Sequence, residues 1–560
     1  MQYRIFINDK DYTTYDIIDK DTQEAVDISL DPLALKLLNN DIFELNDNKV
    51  KLIHSIVQQT EYIPGILILE NQKTYGKKKD KFLYKCIPND KHLPIFLIPY
   101  EIKNIGFSKN FTNIYVLFKF INWNGKHPEG ILTNNIGSVD HLPNFYEYQL
   151  FCKNLNVSLK EFTKNVKERL KKLPSEELIQ NIKRNHKIEN REDVNVFTID
   201  PKSTQDFDDA FSIKKIEDKT IISIYISNVT LWIEHMNLWS SFTNRITTIY
   251  LPDKKRPMLP TLLSDCLCSL KEDEIRFAFT LDITIEEEKI THHEFKNTSI
   301  KVKKNYEYEE DLLLKNTDYK LLFETCKTLN KIQKYTYNIR DSHDAVAYLM
   351  ILINYYSSKN MFSYKNGIYR SVTVSSQDVV TENVSEEFSE FLKFWKNTTG
   401  QYVQFDNYIK HDILSFESYI HISSPIRRLI DLLNMIQFQW NNNISNFGKE
   451  SLEFYNYWCK KLDYINVTSR TVRKIQNNCN ILHLCSKDES ILKKTHEGYL
   501  FDEVLRSDKL YQYMVYIPEI KFISKINSHE RYKQNSSHQF KILVFTREDS
   551  FKKKIKVSIC

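Results

Sequence analysis

No stretch of this chain stays apolar long enough to span a membrane, and the opening Met1-Gln2-Tyr3-Arg4-Ile5-Phe6-Ile7-Asn8-Asp9 lacks the apolar core of a signal peptide. These absences argue against a membrane or secreted protein and make a cytoplasmic or nuclear location the expectation. Cysteine offers no disulfide framework: nine residues, an odd number scattered from Cys86 to Cys560, read as free thiols in a reducing compartment. Cys266-Leu267-Cys268 is too tightly spaced for a zinc knuckle and has no second pair. A large excess of one charge is also missing. The net charge of +5 over 560 residues is mild, so a nucleic-acid partner would have to be met by a local basic groove. Glycine is scarce, at ten residues.

What is present fits a multidomain globular protein. The length suggests about three to five domains, each able to bury a core, and 41% apolar with 27% charged residues is an ordinary globular balance. The densest chemical signal is Thr198-Ile199-Asp200-Pro201-Lys202-Ser203-Thr204-Gln205-Asp206-Phe207-Asp208-Asp209-Ala210, with four carboxylates within ten residues. Carboxylates that close repel strongly in a cleft, so either their pKa values rise or a divalent cation sits among them. Oxygen-only ligands favour Mg2+ or Mn2+. A solvated acidic turn is the plain alternative. Against it stand Val194, Val196, Phe197 and Ile199 before the cluster and Phe211 and Ile213 after it, which bracket the acids with strand-like segments. A calcium loop fits badly. Counted from Asp200, the sixth position is Gln205 rather than glycine and the twelfth is Phe211 rather than glutamate.

The acidic spacing resembles the signature of the RNase II/RNase R (RNB) family of 3′-to-5′ exoribonucleases, to which the exosome nuclease subunit also belongs. A second block, Tyr419-Ile420-His421-Ile422-Ser423-Ser424-Pro425-Ile426-Arg427-Arg428-Leu429-Ile430-Asp431-Leu432, is similar to that family's Y-x-H-[FY]-[TS]-S-P-I-R-R-Y-x-D-L segment. Between the two, Ile249-Tyr250-Leu251-Pro252, Pro257-Met258-Leu259-Pro260 and Leu267-Cys268-Ser269-Leu270 resemble its YLP, PMLP and LCSL segments.

Read in order, residues 1–55 have no evident role and carry one helix-like stretch around Pro32–Leu38. Short apolar runs across 56–135 suggest a small β-barrel. The resemblance makes it an OB-fold barrel of cold-shock type, with Gly76-Lys77-Lys78-Lys79 as a basic loop that is either RNA-contacting or merely solvated. Residues 136–190 read as a helical connector, with Phe162, Val166 and Leu170 on one face. Residues 191–485 read as an α+β domain, the RNB catalytic domain by resemblance, and 486–560 as an S1-like OB barrel. The implied fold is α+β and multidomain. Tyr499, Phe501 and Tyr513 could stack on bases, although aromatics on strands are more often core.

Phosphodiester hydrolysis needs an activated water, neutralised phosphoryl oxygens and a stabilised leaving 3′-oxygen, which two carboxylate-held metal ions can supply. By resemblance Asp200, Asp206, Asp208 and Asp209 are the metal site, with Asp208 also the residue closest to the reaction. Ser423, Ser424 and Pro425 look like a helix start, a natural phosphate site with Arg427 and Arg428 beside it. An Arg427–Asp431 ion pair one turn apart is the structural alternative. The resemblance gives Arg427 the scissile phosphate, adds Arg428 and Ser424 as RNA contacts, and sets Tyr250 against the terminal base. The implied activity is Mg2+-dependent 3′-to-5′ hydrolysis of single-stranded RNA to nucleoside 5′-monophosphates, by a monomer or within an RNA-decay complex. Departures from the family pattern are Tyr225-Ile226-Ser227-Asn228 where H-I-A-D is usual, and Leu429 where tyrosine is usual. They keep open a catalytically weak RNB-fold protein that binds RNA or scaffolds a complex.

Overall fold

The computed structural model describes residues 1–46, 49–102, 111–332, 335, 338–372, 385–408, 416–546 and 553–560. The chain divides into two compact units, Met1–Asn156 with Asn477–Cys560, and Val157–Gln476. No described helix is long and apolar enough to cross a membrane.

In the first unit, strands Tyr15–Asp19, Gln2–Ile7, Ile42–Asn46 and Lys49–His54 form an antiparallel sheet in that order. Ile5, Ile7, Ile17 and Phe43 are buried in it and share a core with Phe96 and Phe118 of the next sheet. Pro32–Leu38 is a run of turns rather than the expected helix. Asp31 Oδ1 accepts from the backbone N–H groups of Leu33 and Ala34, as at a helix start, but Lys36 then turns left-handed at φ 56° and breaks the spiral.

The next sheet runs Ile63–Leu67, Ile114–Asn122, Glu129–Ser138, Phe96–Tyr100, Lys81–Pro88, Lys77–Lys78. A further pairing of Ile63–Leu67 with Lys81–Pro88 curls it round on itself. Gly65 makes that closure possible, because a Cβ there would lie 2.8 Å from Cys86 Sγ and 2.9 Å from the Phe118 ring. The C-terminal strands form a five-stranded sheet in the order Phe522–Ser528, Tyr511–Ile517, His496–Leu505, Ser537–Thr546, Lys553–Ile559. Phe501 and Tyr513 are buried in its core, which removes them as exposed stacking platforms.

The second unit is built on a closed five-stranded barrel of Ile188–Asp200, Asp209–Ile216, Lys219–Ser227, Ile275–Glu286 and Lys289–Glu307. Neighbours pair antiparallel except at the closure, where the first and last strands run parallel from Ile188↔Asn297 to Asp200↔Glu307. Both faces are buried along residues 196–199, 209–213, 222–227 and 276–281, which explains the continuous apolar runs there. Phe197, Phe211, Ile224 and Phe279 pack on one side with Leu349 and Ile353 of helix Ser342–Ser363 and Phe438 of helix Leu429–Asn441. Val196, Ala210, Tyr225 and Ala278 form a smaller cluster on the other. Small and large residues alternate there, as the interior of a narrow barrel requires.

Candidate active site

The acidic stretch lies where the barrel changes strands. Asp200 ends one strand and Asp209 begins its antiparallel neighbour, so the pleat that aligns Phe197 with Phe211 brings the two carboxylates to one end of the barrel. The connecting loop is anchored by the Leu267-Cys268-Ser269-Leu270 segment. Ser269 Oγ accepts from Phe207 N at 3.0 Å and donates to the Gln205 carbonyl at 2.7 Å, and Leu270 N donates to the Phe207 carbonyl. Ser227 N donates to the Asp208 carbonyl at 2.8 Å, fixing that residue from the adjoining strand. Four short bonds therefore set the direction of the carboxylates before any ligand arrives.

Ser424-Pro425-Ile426-Arg427-Arg428 approaches from the other side. The helix that Pro425 suggested begins only at Leu429, with Arg428 extended at φ −135° and ψ 124°. Tertiary pairing delays it: Thr248 N donates to the Arg427 carbonyl at 3.0 Å, Thr247 Oγ1 to the same oxygen at 2.9 Å, and Leu429 N to the Ile246 carbonyl at 2.9 Å. The segment is thus stitched to residues 246–248, just ahead of Tyr250.

Asp208 is 2% exposed. Its Oδ1 accepts from Ile426 N and its Oδ2 from Arg427 Nε, both at 2.9 Å. Burial pushes its pKa up to about 7 against the opposing pull of Arg427 and the Ile426 amide. Asp209 is raised to about 6 by burial, with Arg427 and Arg428 opposing. Asp200 is raised to about 8 by burial and then by the charge of Asp209, and its Oδ2 is buried without a hydrogen-bond partner. The Arg427–Asp431 pair does not form. Arg428 instead reaches Asp431 Oδ1 at 2.8 Å, while Ser424 Oγ accepts from Arg427 at 3.0 Å and from Arg428 at 3.1 Å. Ser424 N donates to Asp431 Oδ1 at 2.8 Å, tying the turn to the first turn of the helix.

Asp206 faces elsewhere. Its Oδ1 accepts from Lys255 Nζ at 2.8 Å and its Oδ2 from Tyr250 Oη at 3.2 Å. Tyr250 is 39% exposed as a residue, and its hydroxyl is held protonated by burial and by Asp206. Among the described residues no group of three or more His, Cys, Asp or Glu is placed to hold a metal ion. The expected four-carboxylate set is therefore divided: Asp206 and Asp208 have both oxygens engaged, and Asp200 and Asp209 are left. Those two suit a hard divalent ion. Asp200 has an orphaned buried oxygen, both are held as weak acids by burial, and Mg2+ commonly takes one or two protein carboxylates and completes its shell with water and phosphate.

Sequence reasoning passed over several residues here. Lys255 and its second partner Asp265, at 2.9 Å, lie inside and just beyond the segment that carries Tyr250, but a Lys-Lys-Arg run reads as solvated charge. Tyr308 N donates to the Asp200 carbonyl at 3.0 Å, and its ring stacks on His343 at 3.6 Å between centroids. Nothing in the local pattern of either residue signals that. The departures at Tyr225 and Asn228 fall in the core: Tyr225 Oη meets Ser212 Oγ at 2.9 Å, and Asn228 Nδ2 donates to Asn297 Oδ1 at 2.8 Å.

Residues 188–353 match the family model described as RNB domain. Over that stretch the chain is similar to the RNB family. DIS3-like exonuclease 2 of Schizosaccharomyces pombe is 29% identical over 227 residues, 38% of this chain and 23% of that protein, so the aligned part spans under a quarter of that relative. Among solved structures, the apo form of Mycoplasma genitalium RNase R matches at TM-score 0.68 and 16% identity, covering 97% of this chain and 98% of that one. Yeast Ssd1, described as a pseudonuclease, matches at TM-score 0.57 and 13% identity over 94% of this chain and 78% of that one. At these identities the two structures speak for the shared fold alone. The RNB match holds the barrel and the acidic stretch, while the arginine turn lies beyond its last residue.

Proposed function

We propose that this RNB protein is a divalent-metal-dependent 3′-to-5′ exoribonuclease that acts on single-stranded RNA and releases nucleoside 5′-monophosphates, with Mg2+ as the ion and Mn2+ able to replace it. The observation that carries this reading is the contact of Arg427 Nε with Asp208 Oδ2 beside Asp200 and Asp209, which sets a phosphate-binding cation against a buried acidic cluster. An ion on Asp200 and Asp209 would supply Lewis acidity toward the phosphate and the attacking water.

The remaining work falls to the chain. The oxygen of water bonds to phosphorus, the bond from phosphorus to the 3′-oxygen of the preceding nucleotide breaks, and that oxygen leaves, protonated, as the new 3′-hydroxyl. Arg427 is held by Asp208 and Ser424 with its side chain 42% exposed, so it can meet the charge growing on the non-bridging oxygens. Asp208, with a pKa near 7, can exchange a proton near neutrality. The partly exposed Tyr250 could offer its ring to the terminal base, a contact any base can make.

A second reading, an RNB-fold protein that binds RNA without cutting it, is favoured by one observation: Lys255 and Arg427 already neutralise Asp206 and Asp208. A time course on 5′-labelled single-stranded RNA with Mg2+ separates the two. Progressive shortening by the wild type and not by Asp208→Asn supports the nuclease; tight binding with no shortening by either supports the binding protein.

A further inference from the structure

The four acids were expected to hold two metal ions, yet Asp206 is already occupied by a cation of the protein. Lys255 Nζ lies 2.8 Å from Asp206 Oδ1 and 2.9 Å from Asp265 Oδ1. The arrangement is fixed from several directions. Lys255 pairs with Tyr250 across a two-residue antiparallel ribbon, so lysine and tyrosine reach the same carboxylate from adjacent strands. Asp265 sits on the wide helical turn Leu262–Leu267, is 8% exposed, and has its Oδ1 further held by Ser264 Oγ at 2.6 Å. The Lys255 side chain is 22% exposed, so the ammonium is seated and yet reachable.

We infer that Lys255 stands where a second divalent ion would bind, so that the site takes one divalent ion, on Asp200 and Asp209, and uses the lysine ammonium as its second cation. Mg2+ or Mn2+ binds a carboxylate oxygen at about 2.0–2.2 Å and carries a tight shell of further oxygens. On Asp206 such an ion would share Oδ1 with the ammonium and displace the tyrosine hydroxyl from Oδ2, with two like charges a few ångströms apart. Asp265 makes the ammonium hard to displace, because the lysine bridges two carboxylates rather than one. An ammonium has three hydrogens. Asp206 and Asp265 take two, and the third is available to a phosphoryl oxygen of the substrate, which makes Lys255 a substrate-contacting residue that contributes charge. This inference rests on the nuclease reading only in assuming that the acidic cluster binds a divalent ion.

The test is the number of Mn2+ ions bound by the full chain without RNA, measured by the paramagnetic signal of free Mn2+ during titration. One ion is expected for the wild type, one for Lys255→Arg, and two for Lys255→Met, with Asp209→Asn losing the single ion. Two ions on the wild type would overturn the inference, and so would one ion on a Lys255→Met protein with wild-type melting behaviour. Because two ions on the wild type overturn the inference by themselves, a misfolded variant does not rescue the idea. The RNA time course separates the failures: shortening by a protein that binds two ions removes this inference and leaves the nuclease, whereas no Mn2+ bound and no shortening removes both.

Discussion

Arg427 Nε lies 2.9 Å from Asp208 Oδ2 across a sequence separation of 219 residues. The same carboxylate takes the amide of Ile426 on its other oxygen, so an arginine turn and a strand-end acid position each other. Asp208 is buried and Arg427 is partly open to solvent, which leaves the guanidinium both fixed and able to meet a ligand.

Arg427→Lys keeps the charge and loses the planar fork that holds Asp208 and Ser424 together. RNA shortening should slow by about 100- to 1,000-fold, the usual cost of one preorganised donor at a developing negative charge. RNA binding should weaken far less. Single-turnover rates and filter-binding constants on the same preparation check both halves.

Tyr250 separates by substitution into ring and hydroxyl. Tyr250→Phe removes the 3.2 Å bond to Asp206 and keeps the stacking face, so RNA affinity should hold. Tyr250→Ala should lose about 1–3 kcal/mol of RNA affinity, the range for one base on an aromatic platform. Equal losses in the two variants would mean that the ring touches no base.

Asp200, Asp208 and Asp209 stand at about 8, 7 and 6 in the folded chain against a usual 3.8. With pKa values raised on folding, the folded state holds more protons than the unfolded one, so stability falls as pH rises. The contribution is fully present below 3.8 and is lost as pH rises through about 6 to 8. Metal-free protein should therefore melt at a lower temperature at pH 8 than at pH 5.5, and Mg2+ should restore more of the loss at the higher pH. Melting curves with EDTA and with Mg2+ show this. Asp200→Asn should flatten the pH dependence.

Asn228 occupies the place of the family's usual aspartate, but its amide donates to Asn297 Oδ1 at 2.8 Å and accepts from Thr230 Oγ1 at 2.5 Å inside the core. Asn228→Asp would replace a donor by a buried charge. It should destabilise the fold by about 1–3 kcal/mol or more and not speed RNA shortening. Denaturant unfolding and the gel assay measure the two effects. Faster RNA cleavage by this variant would show that the residue supports the chemistry.

The sequence alone determined that strands bracket the acidic stretch and that Phe162 and Val166 lie on the buried face of one helix, because apolar runs and helical periodicity encode burial; it did not determine that the strands close into a barrel or that Asp208 meets Arg427. It did not determine which way each carboxylate points. Asp206 and Asp208 are two residues apart on one loop, yet one faces Lys255 and the other Arg427. That choice is made by Ser269 and Ser227 holding the loop from elsewhere in the barrel. The start of the helix after Pro425 was likewise hidden. Local capping chemistry favoured a beginning at Ser424, but after a single turn over residues 425–427 three hydrogen bonds with residues 246–248 accompany an extended Arg428, and the helix starts only at Leu429. Local propensity is worth a fraction of a kcal/mol per residue, and several tertiary hydrogen bonds together outweigh it.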